Sequence, residues 1–119
     1  MGITLVRVTL VNPSDQTRIS NAELIVDTGS VLTWIKGSRL EEIGVHPRRE
    51  KEFRTIEGRM VRRSTGPLVV RYERTEADTE VVFAMDSDAE VLGVTALESL
   101  GYQVDPVSNQ LRPSSLLAL

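Results

Sequence analysis

The chain has 119 residues, 40% of them hydrophobic but only 4% aromatic, and no cysteine. This suits one compact domain with an aliphatic core and leaves no room for two, while disulfides, thiolate metal sites and cysteine nucleophiles are excluded. Fourteen basic against seventeen acidic residues give a formal charge of −3, which offers nucleic acid no overall attraction.

The first residues, Met1-Gly2-Ile3-Thr4-Leu5-Val6-Arg7, have no basic region ahead of an apolar run, so no secretory signal is expected. Val6 stands where a myristoylation signal needs Ser or Thr. No apolar stretch approaches the roughly 20 residues that a spanning helix requires. The expectation is a soluble cytoplasmic protein with no membrane partner.

Residues 3–11 are rich in β-branched side chains and end at Asn12-Pro13, a strand closed by a turn. Glu23-Leu24-Ile25-Val26 is a short apolar run that stops at Asp27-Thr28-Gly29-Ser30, the pattern of a buried strand feeding a loop. Ser38-Arg39-Leu40-Glu41 has the spacing of a capping box, and Gly44 supplies a stop, so a short helix is predicted there. Residues 53–56 and 59–63 flank Glu57-Gly58, a hairpin turn in which Gly supplies the positive φ. Leu68, Val70 and Tyr72 alternate with other residues, as do Val81 and Phe83, and these predict two further strands. Thr95-Ala96-Leu97-Glu98 repeats the capping-box spacing and Gly101 repeats the stop. Each predicted helix follows a short strand ending in Gly, a faint duplication too weak to stand as a repeat. The predicted fold class is mostly β with one or two short helices.

Charge is unevenly distributed. Residues 48–74 hold nine basic and four acidic residues, whereas residues 75–119 hold eight acidic residues and Arg112 alone. The simpler reading is that these faces complement one another within the fold or across a dimer. The sharper one is a basic hairpin that favours acidic segments of a bound peptide. The chain ends in Leu116-Leu117-Ala118-Leu119; four apolar residues at a terminus predict a strand docked on the domain or on a second subunit.

The chemistry centres on Asp27-Thr28-Gly29-Ser30. An aspartic peptidase needs two carboxylates sharing one proton: one acts as base on a water, the other donates to the peptide carbonyl. Such a site requires an Asp at the end of a buried strand, followed by a tight loop. Gly29 permits the backbone approach, and the Thr28 and Ser30 hydroxyls can bond neighbouring main chain and the carboxylate. The triplet alone arises by chance in about one chain in seventy of this length, and an Asx-type turn is the structural alternative. Other groups carry less. His46, the one histidine, sits beside Pro47 in a predicted loop, and without a second His or any Cys no zinc site is expected. Asp86-Ser87-Asp88-Ala89-Glu90 lacks the Gly and the length of a calcium loop and reads as a solvated turn. Trp34 and Ile35 read as core, or as the lining of a substrate pocket. No His-Asp set accompanies the serines, so a serine hydrolase is not supported.

Three elements together resemble the single-domain, retroviral-like aspartic proteases of cellular organisms, relatives of the retropepsins. Leu24-Ile25-Val26-Asp27-Thr28-Gly29-Ser30 is similar to their active-site loop. Val91-Leu92-Gly93 is similar to the hydrophobic-hydrophobic-Gly hallmark that backs this loop, and residues 93–106 resemble the helix and closing turn of the prokaryotic branch. The hairpin around Glu57-Gly58 falls where the flap belongs. The resemblance spans residues 3–113 and implies a closed β-barrel-like domain forming a homodimer with one catalytic Asp27 per subunit. It implies that Thr28 hydrogen-bonds across the dimer axis and that Gly29 offers its carbonyl to substrate. It further implies that Ser30 and the flap residues Ile56, Glu57, Gly58 and Arg59 contact the substrate, with Val91, Leu92 and Gly93 in support. Retroviral enzymes usually follow the triplet with Ala-Asp and the second hallmark with Arg. Here the residues are Ser30-Val31 and Val94, so both partners of that ion pair are absent together and neither charge is orphaned.

The expected activity is therefore an endopeptidase acting on extended polypeptide as a homodimer, with no metal or organic cofactor. The alternative is a retropepsin-like domain that dimerises or binds peptides without cutting, since a fold does not guarantee its chemistry.

Overall fold

Apolar residues at every second position make the first strand. In the computed structural model of the protein, which describes residues 2–114, β1 (Leu5–Asn12) buries Val6, Val8 and Leu10 and leaves Leu5 and Arg7 outside. Asn12 makes the turn: its Oδ1 accepts from the amides of Ser14 and Asp15, and its Nδ2 donates to Ile43 O at 2.7 Å. β2 (Asp15–Val26) returns antiparallel, with Val6 opposite Leu24.

The remaining elements are β3 (Thr33–Lys36), α1 (Gly37–Glu42), β4 (Arg49–Arg54), β5 (Met60–Tyr72), β6 (Thr75–Ala84), β7 (Val91–Leu92), α2 (Val94–Leu100), β8 (Tyr102–Asp105) and β9 (Gln110–Pro113). The fold is mostly β with two short helices, as expected. Seven strands form one sheet in the order β1-β2-β7-β3-β6-β5-β4, and β1 also pairs with β5. β8 and β9 form a separate two-stranded sheet. The arrangement that matters most is β7, lodged between β2 (parallel, Ile25 opposite Val91) and β3 (antiparallel, Trp34 opposite Val91). It closes the gap beside the Asp27 loop.

The core is aliphatic, as the composition requires. Leu10, Leu24, Ile35, Leu40, Leu68, Val70, Val81 and Leu92 are essentially inaccessible, and each such side chain stabilises the fold by about 1.5–3 kcal/mol relative to exposure. α1 contributes Leu40, and α2 contributes Ala96, Leu97 and Leu100.

Several local expectations need correction. Ser38 does not cap α1; the helix starts at Gly37 after Lys36, with no side-chain cap. Thr95 likewise lies inside α2, which Gly93 precedes. Both stops hold, with Gly44 and Gly101 at φ +79° and +83°. The two strands expected at residues 59–63 and around 68–72 are one continuous β5, because Gly66 and Pro67 continue the pairing with β6 rather than break it. Gly66 is there for space, since a Cβ would lie 2.7 Å from His46 O. The run at residues 23–26 is the end of a twelve-residue strand. Lys51–Glu80, Arg63–Asp88 and Arg71–Glu76 join the basic and acidic segments within one chain, in line with the first of the two charge readings. The apolar residues 116–119 lie outside the described residues. Among the described residues no helix is long and apolar enough to cross a membrane.

Candidate active site

β2 buries only Ala22 and Leu24 near its end and then delivers Asp27 to the surface. The backbone around it is pinned from both sides: Val26 N–H donates to Thr4 O at 2.8 Å and Asp27 N–H to Leu92 O at 3.0 Å. Within the loop, Ser30 N–H donates to Asp27 O at 3.1 Å and Gly29 N–H to Asp27 Oδ1 at 2.9 Å. The Asx-type turn is thus present, but it occupies one carboxylate oxygen. Oδ2 has no hydrogen-bond partner among the described residues, and Asp27 is exposed. The Ser30 hydroxyl does not reach this carboxylate; it donates to Leu32 O at 2.7 Å, so any influence on Asp27 passes through the loop backbone.

Val91, Leu92 and Gly93 back the loop. Leu92 supplies the acceptor for Asp27 N–H, and Gly93 N–H donates to the fully buried Thr33 Oγ1 at 3.0 Å. A Cβ on Gly93 would sit 2.3 Å from Leu32 O and 3.0 Å from Ser30 O, so glycine is required for contact rather than for φ. The start of α2 completes the attachment: Val94 N–H donates to Ser30 O at 2.8 Å and Thr95 N–H to Val31 O at 3.2 Å, and the Thr95 hydroxyl also donates to Val31 O.

Asp27 opens onto a cleft of about 700 Å³ lined by Gly29, Ser30, Val31, Leu32, Trp34 and Val91 on one side and by Phe53, Arg54, Thr55 and Ile56 of the hairpin on the other. The walls meet where Trp34 and Phe53 pack edge to face, ring centroids 5.2 Å apart. Trp34 therefore serves both readings offered for it, packing and lining. The tip, residues 55–59, is closed by Thr55 N–H to Arg59 O and by Gly58 at φ +86°. Of its residues Thr55 and Ile56 line the cleft, whereas Glu57, Gly58 and Arg59 do not.

A search of protein-family models and of curated proteins matches nothing to this chain. The site has to be read from its own geometry.

The base of the hairpin is tied to the body by charge. Arg63, on β5, forms two hydrogen bonds to Asp88 at 2.8 and 3.0 Å, and these hold the Asp88 carboxyl below the usual carboxylate range and push the Arg63 guanidinium up. Lys51, on β4, donates to Glu80, which also takes the Thr65 hydroxyl; both bonds keep Glu80 below its ordinary value. Burial pushes Glu90 up, but the Arg39 guanidinium and the Lys36 amide outweigh it and the net shift is downward. Asp88 and Asp27 are the carboxylates lining the cleft, and Asp88 is already paired. Asp27 forms no ion pair among the described residues.

Beyond the loop lies a second hollow of about 480 Å³, lined by Asp27, Thr28, Ile3, Ile25, Val104 and Pro106 among others. Thr28 lines this hollow and not the cleft. Beside it Ile3, just before β1, and Leu5 and Ile25, on the outer face of β1 and β2, are 70%, 56% and 37% exposed. The structure thus gathers Asp27, Gly29, Ser30, Ile56 and Val91 around one cleft, with Leu92 and Gly93 directly behind. Within residues 86–90, Asp88 and Glu90 bind arginines, and no group of three metal-ligating side chains occurs among the described residues. Sequence reasoning gave Phe53 no role in the site, placed Asp88 in a solvated turn and read Thr95 as a helix cap. Phe53 is one of two phenylalanines and stands just before the hairpin tip, a signal that was there to use.

Proposed function

We propose that this protein is an aspartic endopeptidase of the retropepsin type, active as a homodimer in which two copies bring their Asp27 carboxylates together. The observation that carries the reading is Asp27 itself. It is exposed just past the strand end that Ala22 and Leu24 anchor in the core, pinned through its amide by Leu92, with one oxygen unclaimed, on the floor of a cleft bridged by a hairpin. The sheet order, with β7 between β2 and β3 and β1 meeting β5, suits the closed barrel-like form of that fold. The exposed Ile3, Leu5 and Ile25 beside Asp27 give a second copy an apolar face to cover.

In the dimer the two carboxylates share one proton, because like charges about 3 Å apart cannot both ionise easily. The ionised Asp27 takes a proton from a water as its oxygen bonds to the peptide carbon, and the protonated Asp27 gives its proton to the carbonyl oxygen. The tetrahedral intermediate then collapses: the first Asp27 gives the proton it took from water to the nitrogen as the C–N bond breaks, the second Asp27 recovers its proton from the diol oxygen, and a carboxylic acid and an amine leave. No metal or organic cofactor enters these steps. The substrate is an extended peptide running between the floor and the hairpin, its side chains met by Val31, Trp34, Phe53 and Ile56.

The test is cleavage of a diverse peptide pool by wild type and Asp27→Asn, read by mass spectrometry from about pH 3 to about pH 7. Cleavage by wild type alone, fading as the shared proton is lost, is the expected result. Equal cleavage by Asp27→Asn would sink the assignment. No cleavage by protein shown to be dimeric would favour the peptide-binding alternative, in which the same cleft holds a chain without cutting it.

A further inference from the structure

We infer that Thr95 is a positioning residue for the substrate-facing part of the cleft floor, acting through the Val31 carbonyl. The inference rests on the cleft being the peptide-cleaving site proposed above.

Three successive carbonyls of the floor are held from within the chain. Ser30 O takes Val94 N–H at 2.8 Å, Leu32 O takes the Ser30 hydroxyl at 2.7 Å, and Val31 O takes both the amide and the hydroxyl of Thr95. Val31 is the residue of this stretch that projects most: it is 64% exposed and lines the cleft. An exposed β-branched side chain owes its orientation to its backbone, because it has few packing neighbours to hold it. Without the hydroxyl, the Val31 carbonyl would keep only the Thr95 amide, at 3.2 Å. Thr95 is the second residue of α2, so its hydroxyl is presented by a short helix whose other face is anchored in the core by Ala96, Leu97 and Leu100. The helix thereby transmits the rigidity of the core to the floor.

Asp27 is held by other bonds, from its own amide to Leu92 O and from Gly29 N–H to Oδ1. Neither passes through Thr95. Loss of the hydroxyl should therefore loosen the surface that substrate side chains meet and leave the reacting carboxylate in place. Kinetically that is a rise in KM with kcat maintained, the mark of binding contributed equally to ground and transition states. A purely architectural threonine would instead lower stability and kcat together.

The experiment compares wild type, Thr95→Val, which keeps the shape and removes the O–H, and Thr95→Ser, which restores it. Each is measured for thermal unfolding, for kcat and KM on one peptide cleaved in an Asp27-dependent manner, and for amide and methyl NMR signals. Thr95→Val is expected to raise KM about five-fold, the effect of one neutral hydrogen bond. Its kcat should stay within about two-fold, and Thr95→Ser should return KM to the wild-type value. An unchanged KM, or a loss of kcat and stability that Ser does not rescue, overturns the inference. If wild type shows no Asp27-dependent cleavage, the proposed function fails separately, and the NMR decides for Thr95. Perturbations confined to Ser30, Val31 and Leu32 in the Val variant and absent from the Ser variant uphold it, and an unperturbed floor refutes it.

Discussion

Gly93→Ala tests whether the floor of the cleft is held as tightly as the geometry indicates. At φ −82° and ψ 170° this backbone suits alanine, and alanine would narrow the unfolded ensemble in favour of folding by about 0.4–1 kcal/mol. Against that, the new Cβ would stand 2.3 Å from Leu32 O, 2.4 Å from Leu32 C and 3.0 Å from Ser30 O, all of them main-chain atoms. None can yield alone, because Ser30 O is bonded to Val94 N–H and Leu32 O to the Ser30 hydroxyl. Overpacking of this kind costs about 3 kcal/mol or more, so a net loss of about 2–3 kcal/mol is expected. At about 4 °C per kcal/mol for a chain of this size, the unfolding midpoint should fall by about 10 °C. Gly37→Ala is the matched comparison. Its Cβ would meet Phe83 Cδ2 at 3.5 Å, an ordinary contact, in the first turn of a helix where alanine is favoured; its midpoint should be unchanged or slightly higher. Circular dichroism melts of the three proteins decide the matter. A Gly93→Ala midpoint within about 2 °C of wild type would show that the floor relaxes freely and would refute the reasoning.

Arg63→Met strands Asp88 at the cleft wall. In wild type the Asp88 carboxyl is held below its ordinary value, so its contribution to stability is present above about pH 4 and is lost as pH falls through the lower folded value. The variant should be less stable by about 2 kcal/mol at neutral pH, with the gap narrowing below about pH 4 in denaturant titrations; a gap independent of pH would count against the ion pair. Leu5→Glu places a charge on the exposed face of β1, opposite Ile25. If the proposed homodimer forms through this face, sedimentation should show its affinity falling about ten-fold or more, and a dimer of unchanged affinity would refute this placing of the interface.

What could be read from the chain and what could not divide along a physical line. Asp27-Thr28-Gly29 and Val91-Leu92-Gly93 were legible because each pairs an apolar run with a glycine, and the structure places them against each other through Asp27 N–H and Leu92 O; main-chain contact demands the glycine at Gly93, whereas a Cβ on Gly29 would meet only Asp27 Oδ1, at 3.2 Å. The helix stops at Gly44 and Gly101 were legible for a related reason, since left-handed φ is a local property. The helix starts were not. Ser38 and Thr95 have capping spacing, but the helices begin earlier, and the Thr95 hydroxyl is spent on Val31 in another segment. β4 reads Arg-Glu-Lys-Glu-Phe-Arg and shows little apolar alternation; its strand is imposed by pairing with β5 and by Lys51 and Phe53 reaching the body of the domain. Long-range partners of this kind leave no periodic trace in a single sequence.

The position of β7 also governs when the site can come into being. Val91 must find Ile25 and Trp34 across about half the chain, and closing so long a loop is an entropic cost met late in folding. A growing chain that has emerged only as far as residue 90 contains Asp27 but neither the Leu92 carbonyl that receives its amide nor the α2 residues that brace the floor. Assembly of the cleft is thereby deferred until nearly all of residues 2–114 have been synthesised, so the exposed Asp27 gains its braced surroundings only at the end.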